Sequence, residues 1–357
     1  MVTAWETNNP SILTSMYLQV GTDAVIAQFG MLGHKLAWWK KNHPDWILYE
    51  CDQTTIAYIA GSMQTPLDIS NPAVITYLQN LIGPYSESNG YSALGLDFVQ
   101  LENLTGTKGG PSRGCGVWTT GAGGPTWVQK FSGNGSDPAY AAAVLNYLSS
   151  FRSYLHGLSR PLALWGNHIV ATAAEGDPQE EQLLGDLDLV LDESSYARYG
   201  SFSDQANFKH TLYWADYLQT LQKGYIAAAL FHTSALSNAQ LEYAIASYLM
   251  SKNQASALYA FPYGNYGIEY YYPSYAASVG SPCGKVYGGP GYQHLGELVY
   301  YRQYTGALSV LNTGSKTYSV NLPQTSYVDA VTGAAVTSPL TVGPFAGFVL
   351  LNSAGCP

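Results

Sequence analysis

The chain has 357 residues, of which 11% are charged, and a formal net charge of −9. That length buries a large core and suits one large barrel, or a barrel with a small appended domain. The charge-poor, acidic balance excludes the basic surface that nucleic acid demands, and no apolar run approaches the roughly 20 residues of a membrane span, so neither nucleic acid nor membrane is expected as a partner.

Taken in order, the N-terminus MVTAWETNNP has no basic start and no apolar run, so no signal peptide is read there. SMYLQVG (15–21) reads as a strand and VIAQFGMLGHKLAWWKKNHP (25–44) as a helix ended by Pro44. WILYECD (46–52) reads as a strand running into Asp52, and SNPAVITYLQNLIG (70–83) as a helix with a capping Ser or Asn and Pro72 at its first position. LGLDFVQLENLTG (94–106) reads as a buried strand, with Leu96, Phe98, Gln100 and Glu102 on one face and Asp97, Val99, Leu101 and Asn103 on the other. Both faces carry apolar residues, as in a covered parallel strand.

Residues 103–136, rich in Gly, Pro, Ser and Thr, read as a long irregular loop of the kind that shapes a binding site. Helix 138–157 leads to strand 161–168, ending in Asn167 and His168. LDLVLDESS (187–195) follows as a second buried strand ending in an acid, Glu193. Helix 203–222, strand 225–233 ending at His232, helix 238–252 and strand 256–265 close the series. Strand and helix thus alternate through seven strands, which predicts βα units and a parallel sheet. One strand is lacking from eight, so the chain is expected to begin after the first barrel strand. The fold expected is α/β, a (β/α)8 TIM-type barrel over residues 1–292, followed by a small antiparallel β domain over 293–357, where short strands replace the alternation.

Four cysteines, Cys51, Cys115, Cys283 and Cys356, lie far apart without metal-ligand spacing, so no metal and no other cofactor is expected. A low-charge chain rich in Gly and Tyr has the composition of an exported protein, where disulfides persist. One disulfide is expected, with Cys115 and Cys283, both read in loops, the easiest to pair. The chain is expected to act outside the cell, as a monomer.

No nucleophile elbow, phosphate loop, dinucleotide fingerprint or HExxH motif occurs. What remains is a pair of acids at strand ends. In a parallel barrel the strands end at one mouth, so acids from distant strands converge there, and glycosidic bond hydrolysis needs two carboxyls. Glu193 is expected as the general acid and Glu102 as nucleophile or base, while Asp97 and Asp192 are read as facing the helix layer. Asn103, Asn167, His168, His232, Asn265, Tyr17 and Asp52, at strand ends, are expected to contact substrate hydroxyls, and Trp118, Trp127, Tyr263 and Tyr266 to stack on sugar rings.

DFVQLEN (97–103) resembles the D-G-[VI]-x-[LF]-D-N strand of glycosidase-like (β/α)8 proteins, among them endo-α-1,4-polygalactosaminidase-like enzymes. Glu102 stands at the second Asp, Asn103 at the Asn, and Phe98 at the Gly. LDLVLDES is similar to the strand that supplies the family's catalytic Glu, at Glu193. HPDWILYECD with LDISNPAVITYL, and VYYRQYTGALSVLN, resemble its third strand and helix and the start of its C-terminal β domain. The resemblance implies a hydrolase acting on a glycan or polysaccharide; a former enzyme that only binds glycan is the alternative.

Overall fold

The computed structural model describes residues 14–23, 33–59, 64–106, 112–193, 195–198, 201–202, 205–252, 256–262, 271–284, 292–294, 299–352 and 355–356. The readings placed on the N-terminal 13 residues, on the first part of helix 25–44, and on Tyr263, Asn265 and Tyr266 lie outside these. The fold is α/β, with parallel strands and intervening helices in the manner of a TIM-type barrel, followed by antiparallel β sheets. Two compact units are present, one of residues 1–168 with 178–190 and one of 169–177 with 191–357.

The first unit contains β1 (Ser15–Gln19), α1 (Leu36–Asn42), β2 (Tyr49–Glu50), α2 (Pro72–Ser88), β3 (Ala93–Asp97), β4 (Gly114–Gly121), β5 (Gly124–Gln129), α3 (Pro138–His156), β6 (Ala163–Asn167) and α4 (Pro178–Gly185). Strand β7 (Leu189–Glu193) begins in this unit and ends in the other. β1, β3 and β6 run parallel, and Tyr17, Gly95 and Trp165 fall in one row across them. Leu94 and Leu96 of β3 are fully buried, which is why the run reads as apolar.

α2 and α3 start where the sequence says, whereas the helix read over 25–44 begins at Leu36 among the described residues and α4 was not read from the sequence. Asn71 accepts the Ala73 N–H at 3.0 Å, with Pro72 first in α2. Asp137 accepts from Ala139 and Tyr140, with Pro138 first in α3. Proline supplies a preset φ where its missing donor is no loss. α2 runs five residues past the expected end at 83, through Pro84 to Ser88, at the loss of one intrahelical bond.

Two sequence readings fail here. Residues 46–52 do not join the parallel series: Tyr49 and Glu50 pair antiparallel with Gly116 and Gly114 of β4. Nor is 103–136 irregular, because β4 and β5 form a hairpin closed at Gly121 and Gly124. Gly124 turns the chain with φ +98°, a region open to glycine. Small residues hide this hairpin, whose alternation is carried by few side chains. A disulfide joins Cys51 to Cys115. The expected Cys115–Cys283 pairing is therefore wrong, and Cys283 pairs with Cys356 instead.

The second unit holds the end of β7, a short hairpin of β8 (Ala197–Arg198) and β9 (Ser201–Phe202), α5 (Gln205–Thr220), β10 (Gly224–Phe231), α6 (Asn238–Ser251) and β11 (Ser256–Pro262), with β10 and β11 parallel. Eight strands follow: β12 (Tyr292–His294), β13 (Val299–Gln303), β14 (Ala307–Asn312), β15 (Tyr318–Val320), β16 (Ser326–Asp329), β17 (Ala335–Thr337), β18 (Leu340–Val342) and β19 (Ala346–Leu351). They form antiparallel sheets ordered β12-β13-β14-β19-β16-β17 and β15-β18. Val299, Leu308, Val310, Val342 and Leu350 are at the centre of their core.

α6 is buried from Leu241 to Ser251. β19 lies so close to it that a Cβ added at Gly347 would stand 2.8 Å from the Ala246 Cβ. Buried Arg302 of β13 donates to the carbonyls of Leu249 and Met250 at 3.0 and 3.1 Å, satisfying the end of this helix. Among the described residues no helix is long and apolar enough to cross a membrane.

Candidate active site

β3 ends sooner than its sequence suggests. Phe98 takes φ +57°, the left-handed region, which breaks the strand directly after Asp97. The Phe98 N–H then turns onto the Asp97 carboxylate, donating to Oδ1 at 2.9 Å. Where the resembled motif has Gly, the backbone here has the conformation that Gly adopts without strain. The strand-end acid of β3 is therefore Asp97, and its carboxylate is bonded to Asn167 of β6 and to the Phe98 N–H rather than, as read, turned to the helix layer.

Asp97 has defined neighbours. Asn167, last in β6, donates from Nδ2 to Asp97 Oδ1 at 3.1 Å and lies 3.2 Å from the Tyr17 hydroxyl of β1. Tyr17 stacks on Trp165 with ring centroids 5.1 Å apart and planes 13° from parallel. Trp165 is fixed in turn by its Nε1, which donates to Ser15 Oγ at 2.6 Å. Gly95 makes the stack fit, since a Cβ there would stand 2.2 Å from the Trp165 ring. Tyr17 remains 42% exposed. Three strands thus bring a carboxylate, an amide, a phenol and an aromatic face together at one end of the sheet, the end at which TIM-type enzymes carry their sites. Trp165 was missed because tryptophan in a strand reads as core, and its signal was the glycine opposite it.

Glu102 is not at the strand end. It lies in the loop beyond, exposed, with its carboxylate over Gly135, where an added Cβ would stand 2.8 Å from Oε1. Asn103 is buried and holds that loop. Its Nδ2 donates to the Gly114 carbonyl at 3.0 Å and its Oδ1 accepts from the Thr105 hydroxyl at 2.6 Å, so both ends of its amide are engaged within the protein.

His168 is also occupied. Its Nδ1 donates to the Val99 carbonyl at 2.6 Å, and a proton lies between Nε2 and Glu180 of α4. Both ring nitrogens are used in packing the β6 end onto α4, and the residue is 2% exposed. Asp52 sits in the turn after β2 rather than at a parallel strand end, and accepts from the Thr55 hydroxyl and the N–H groups of Thr55 and Thr54. Those bonds lower its carboxyl to about 2. Trp118 and Trp127 are directly opposite on β4 and β5, ring centroids 5.6 Å apart, with Trp118 Nε1 donating to the Gln53 carbonyl at 2.9 Å.

In the second unit, Glu193 is the last residue of β7 and is half-buried. Asp192 beside it is fully buried and accepts the Tyr225 hydroxyl of β10 at 2.9 Å. Burial first, then the Asp192 charge, pushes the Tyr225 hydroxyl far above its usual range. It stays a donor at any working pH. His232 follows the end of β10 and is exposed. Among the described residues, no group of three His, Cys, Asp or Glu could hold a metal ion.

No family model matches the sequence, and no curated protein matches it. Solved structures do resemble it in shape. The noncanonic maltogenic α-amylase AmyB from Thermotoga neapolitana is 13% identical, with 98% of this chain and 77% of that one covered and a TM-score of 0.44. An Anoxybacillus α-amylase gives 12%, 99%, 78% and 0.46, and one from Malbranchea cinnamomea gives 10%, 99%, 78% and 0.46.

Proposed function

We propose that this chain is a glycoside hydrolase acting on a glycan or polysaccharide by a two-carboxylate mechanism, with Glu193 as general acid and Asp97 as nucleophile or base. One observation carries the reading: Asp97 ends β3 and is oriented by Asn167 and the Phe98 N–H beside the exposed, Trp165-backed ring of Tyr17. A carboxylate aligned by neutral donors and set next to an aromatic face is the equipment for attacking a sugar ring stacked on that face. The Asn167 amide holds one carboxylate oxygen, leaving the other for the sugar carbon or a water. Glu193 protonates the departing oxygen.

Glu102, the acid first drawn from the sequence, is the rival for the Asp97 role. Residues 1–292 are the catalytic part and 293–357 an appended β domain, in a monomer that works outside the cell without a cofactor. Asn167, His232, Tyr17, Tyr263, Asn265, Trp118 and Trp127 remain the groups we assign to substrate contact, whereas Asn103, Asp52 and His168 are engaged within the protein.

The test is release of reducing sugar from a broad glycan panel by wild type, Asp97→Asn, Glu102→Gln and Glu193→Gln. Loss of a catalytic carboxyl costs about 10²–10⁴-fold, so Asp97→Asn and Glu193→Gln should fall that far and Glu102→Gln less than about tenfold. A collapse at Glu102 with Asp97→Asn active would return the role to Glu102. Glycan binding without release by wild type would favour the binding-only reading.

A further inference from the structure

Phe98 is a bulky residue in the left-handed region, with φ +57°, a conformation that persists only where surrounding groups over-determine it. Those groups hold its neighbour. Val99 is fixed at three points by three consecutive residues at the end of β6. Its side chain is seated on Gly166, where an added Cβ would stand 2.9 Å from Val99 Cγ2. Its N–H donates to the Asn167 carbonyl at 3.2 Å, and its carbonyl accepts from His168 Nδ1 at 2.6 Å. On the other side of Phe98, the pairing of β3 with β1 fixes the chain as far as Asp97. Phe98 joins two fixed points, and the turn it makes carries its N–H onto Asp97 Oδ1.

The contact between His168 and Val99 dictates the state of the ring. A carbonyl only accepts, so Nδ1 carries a proton, and the remaining nitrogen, Nε2, faces the Glu180 carboxyl. Glu180 thereby keeps the ring in the orientation that aims Nδ1 at Val99. Glu180 is itself 2% exposed, on a helix whose Leu183 and Leu184 are fully buried. The imidazole is braced between α4 on one side and, on the other, the peptide that follows the strained residue.

We propose that His168 and Glu180 are positioning residues for Asp97, a role that rests on Asp97 being the nucleophile or base of the proposed hydrolase. α4 aims the ring, the ring holds the Val99 carbonyl, and the held peptide keeps the Phe98 N–H on the Asp97 carboxylate. Both side chains are buried, so their loss spoils the aim of Asp97 and leaves sugar binding intact.

The experiment separates the two bonds of the ring. In His168→Gln the amide reaches the place of Nε2, which keeps a donor to Glu180 and takes the donor from the Val99 carbonyl. In His168→Asn combined with Glu180→Gln the shorter amide reaches the place of Nδ1, which keeps the Val99 bond and gives up the tie to α4. His168→Gln should lose about 10²-fold in kcat, the effect of a misplacement of about 1 Å, with KM within about twofold of wild type. His168→Asn/Glu180→Gln should keep kcat within about threefold. Adding Phe98→Gly should restore His168→Gln, because glycine takes the positive φ unaided. Activity that follows the tie to α4 instead, or no rescue by Phe98→Gly, overturns the proposal. Should one of the two proteins fail to fold, the other suffices: kcat kept with the Val99 bond, or lost without it and rescued at residue 98, supports the role, and the reverse overturns it.

Amide exchange at Phe98 and Val99 in isotope-labelled protein needs no substrate. Protection there should fall at least about tenfold in His168→Gln and be kept in His168→Asn/Glu180→Gln; unchanged protection in His168→Gln overturns the proposal. A wild type that cleaves no glycan would defeat the hydrolase reading, while this exchange still tests the hold on Val99. Protection lost with kcat unchanged would defeat the positioning role alone.

Discussion

At the scale of single residues, Gly95 is the most restrictive position in the candidate site. A methyl group there has no space against the Trp165 ring, so Gly95→Ala must displace the ring and with it the stack on Tyr17. The expected loss is about 1–3 kcal/mol, the usual consequence of overpacking, read as a lowered unfolding midpoint with a changed near-ultraviolet tryptophan signal. An unchanged midpoint would mean that Trp165 packs elsewhere. The sequence made the end of β7 at Glu193 legible, because a clean alternation of Leu187, Leu189 and Leu191 leads to it. The same counting misled at Glu102. Alternation was continued through Phe98, whose positive φ resets the register, and no periodicity can register a backbone torsion. The apolar run ending in Asp97 was the better signal, since a charge that ends a buried strand marks its mouth.

At the scale of elements, the helices whose first turns carry chemical punctuation were legible, whereas the short α4 was passed over between the strands at 161–168 and 187–195. Ser237 before α6 accepts the Gln240 N–H at 3.2 Å while Gln240 Oε1 accepts the Ser237 N–H at 3.0 Å, a reciprocal cap. Ser237→Ala should cost about 1 kcal/mol, and denaturant unfolding that shows no change would assign the stability of this helix to its buried side chains alone. The β4–β5 hairpin was illegible for the opposite reason. Gly, Thr and Pro give no hydrophobic rhythm, and its stability comes from cross-strand pairs such as Trp118 with Trp127. β2 read correctly as extended, but two residues cannot announce which sheet they join. Strand-partner choice is decided by the disulfide and the ladder to β4, both remote in sequence.

At the scale of the molecule, acid and alkali act through different carboxyls. Asp137 and Asp188 are lowered despite burial, the first by donors from Ser132, Tyr140 and Ala139, the second by the Leu164 N–H, His156 and Arg152. A lowered carboxyl contributes stability above the ordinary carboxylate range and loses it as pH falls through its folded value, whereas Glu242 of α6, raised by burial, contributes most in acid and fades toward pH 8. The two trends cross, so the unfolding midpoint of wild type should peak near about pH 5. A maximum above pH 8 would show that other groups dominate. The alternation of strands and helices was readable in part, with 46–52 wrongly placed in the parallel series, and so was the later change to short antiparallel strands, because both are patterns of length and spacing. The cysteine pairing was not, because four cysteines leave three pairings open.

Each disulfide lies within one unit, and the cysteines are 64 residues apart in the first pair and 73 in the second. The tip of the β4–β5 hairpin, exposed at Gly121, Ala122 and Gly123, lies outside the first loop, beyond Cys115, while the exposed turn at Gln53 and Thr54 lies inside it. Limited digestion therefore has two distinguishable results on a gel. A cut at the turn leaves one band until reductant is added, whereas a cut at the hairpin tip separates two fragments at once. Band pattern with and without reductant thus reports which loop a protease reaches, and makes the covalent connectivity of the chain readable without any substrate.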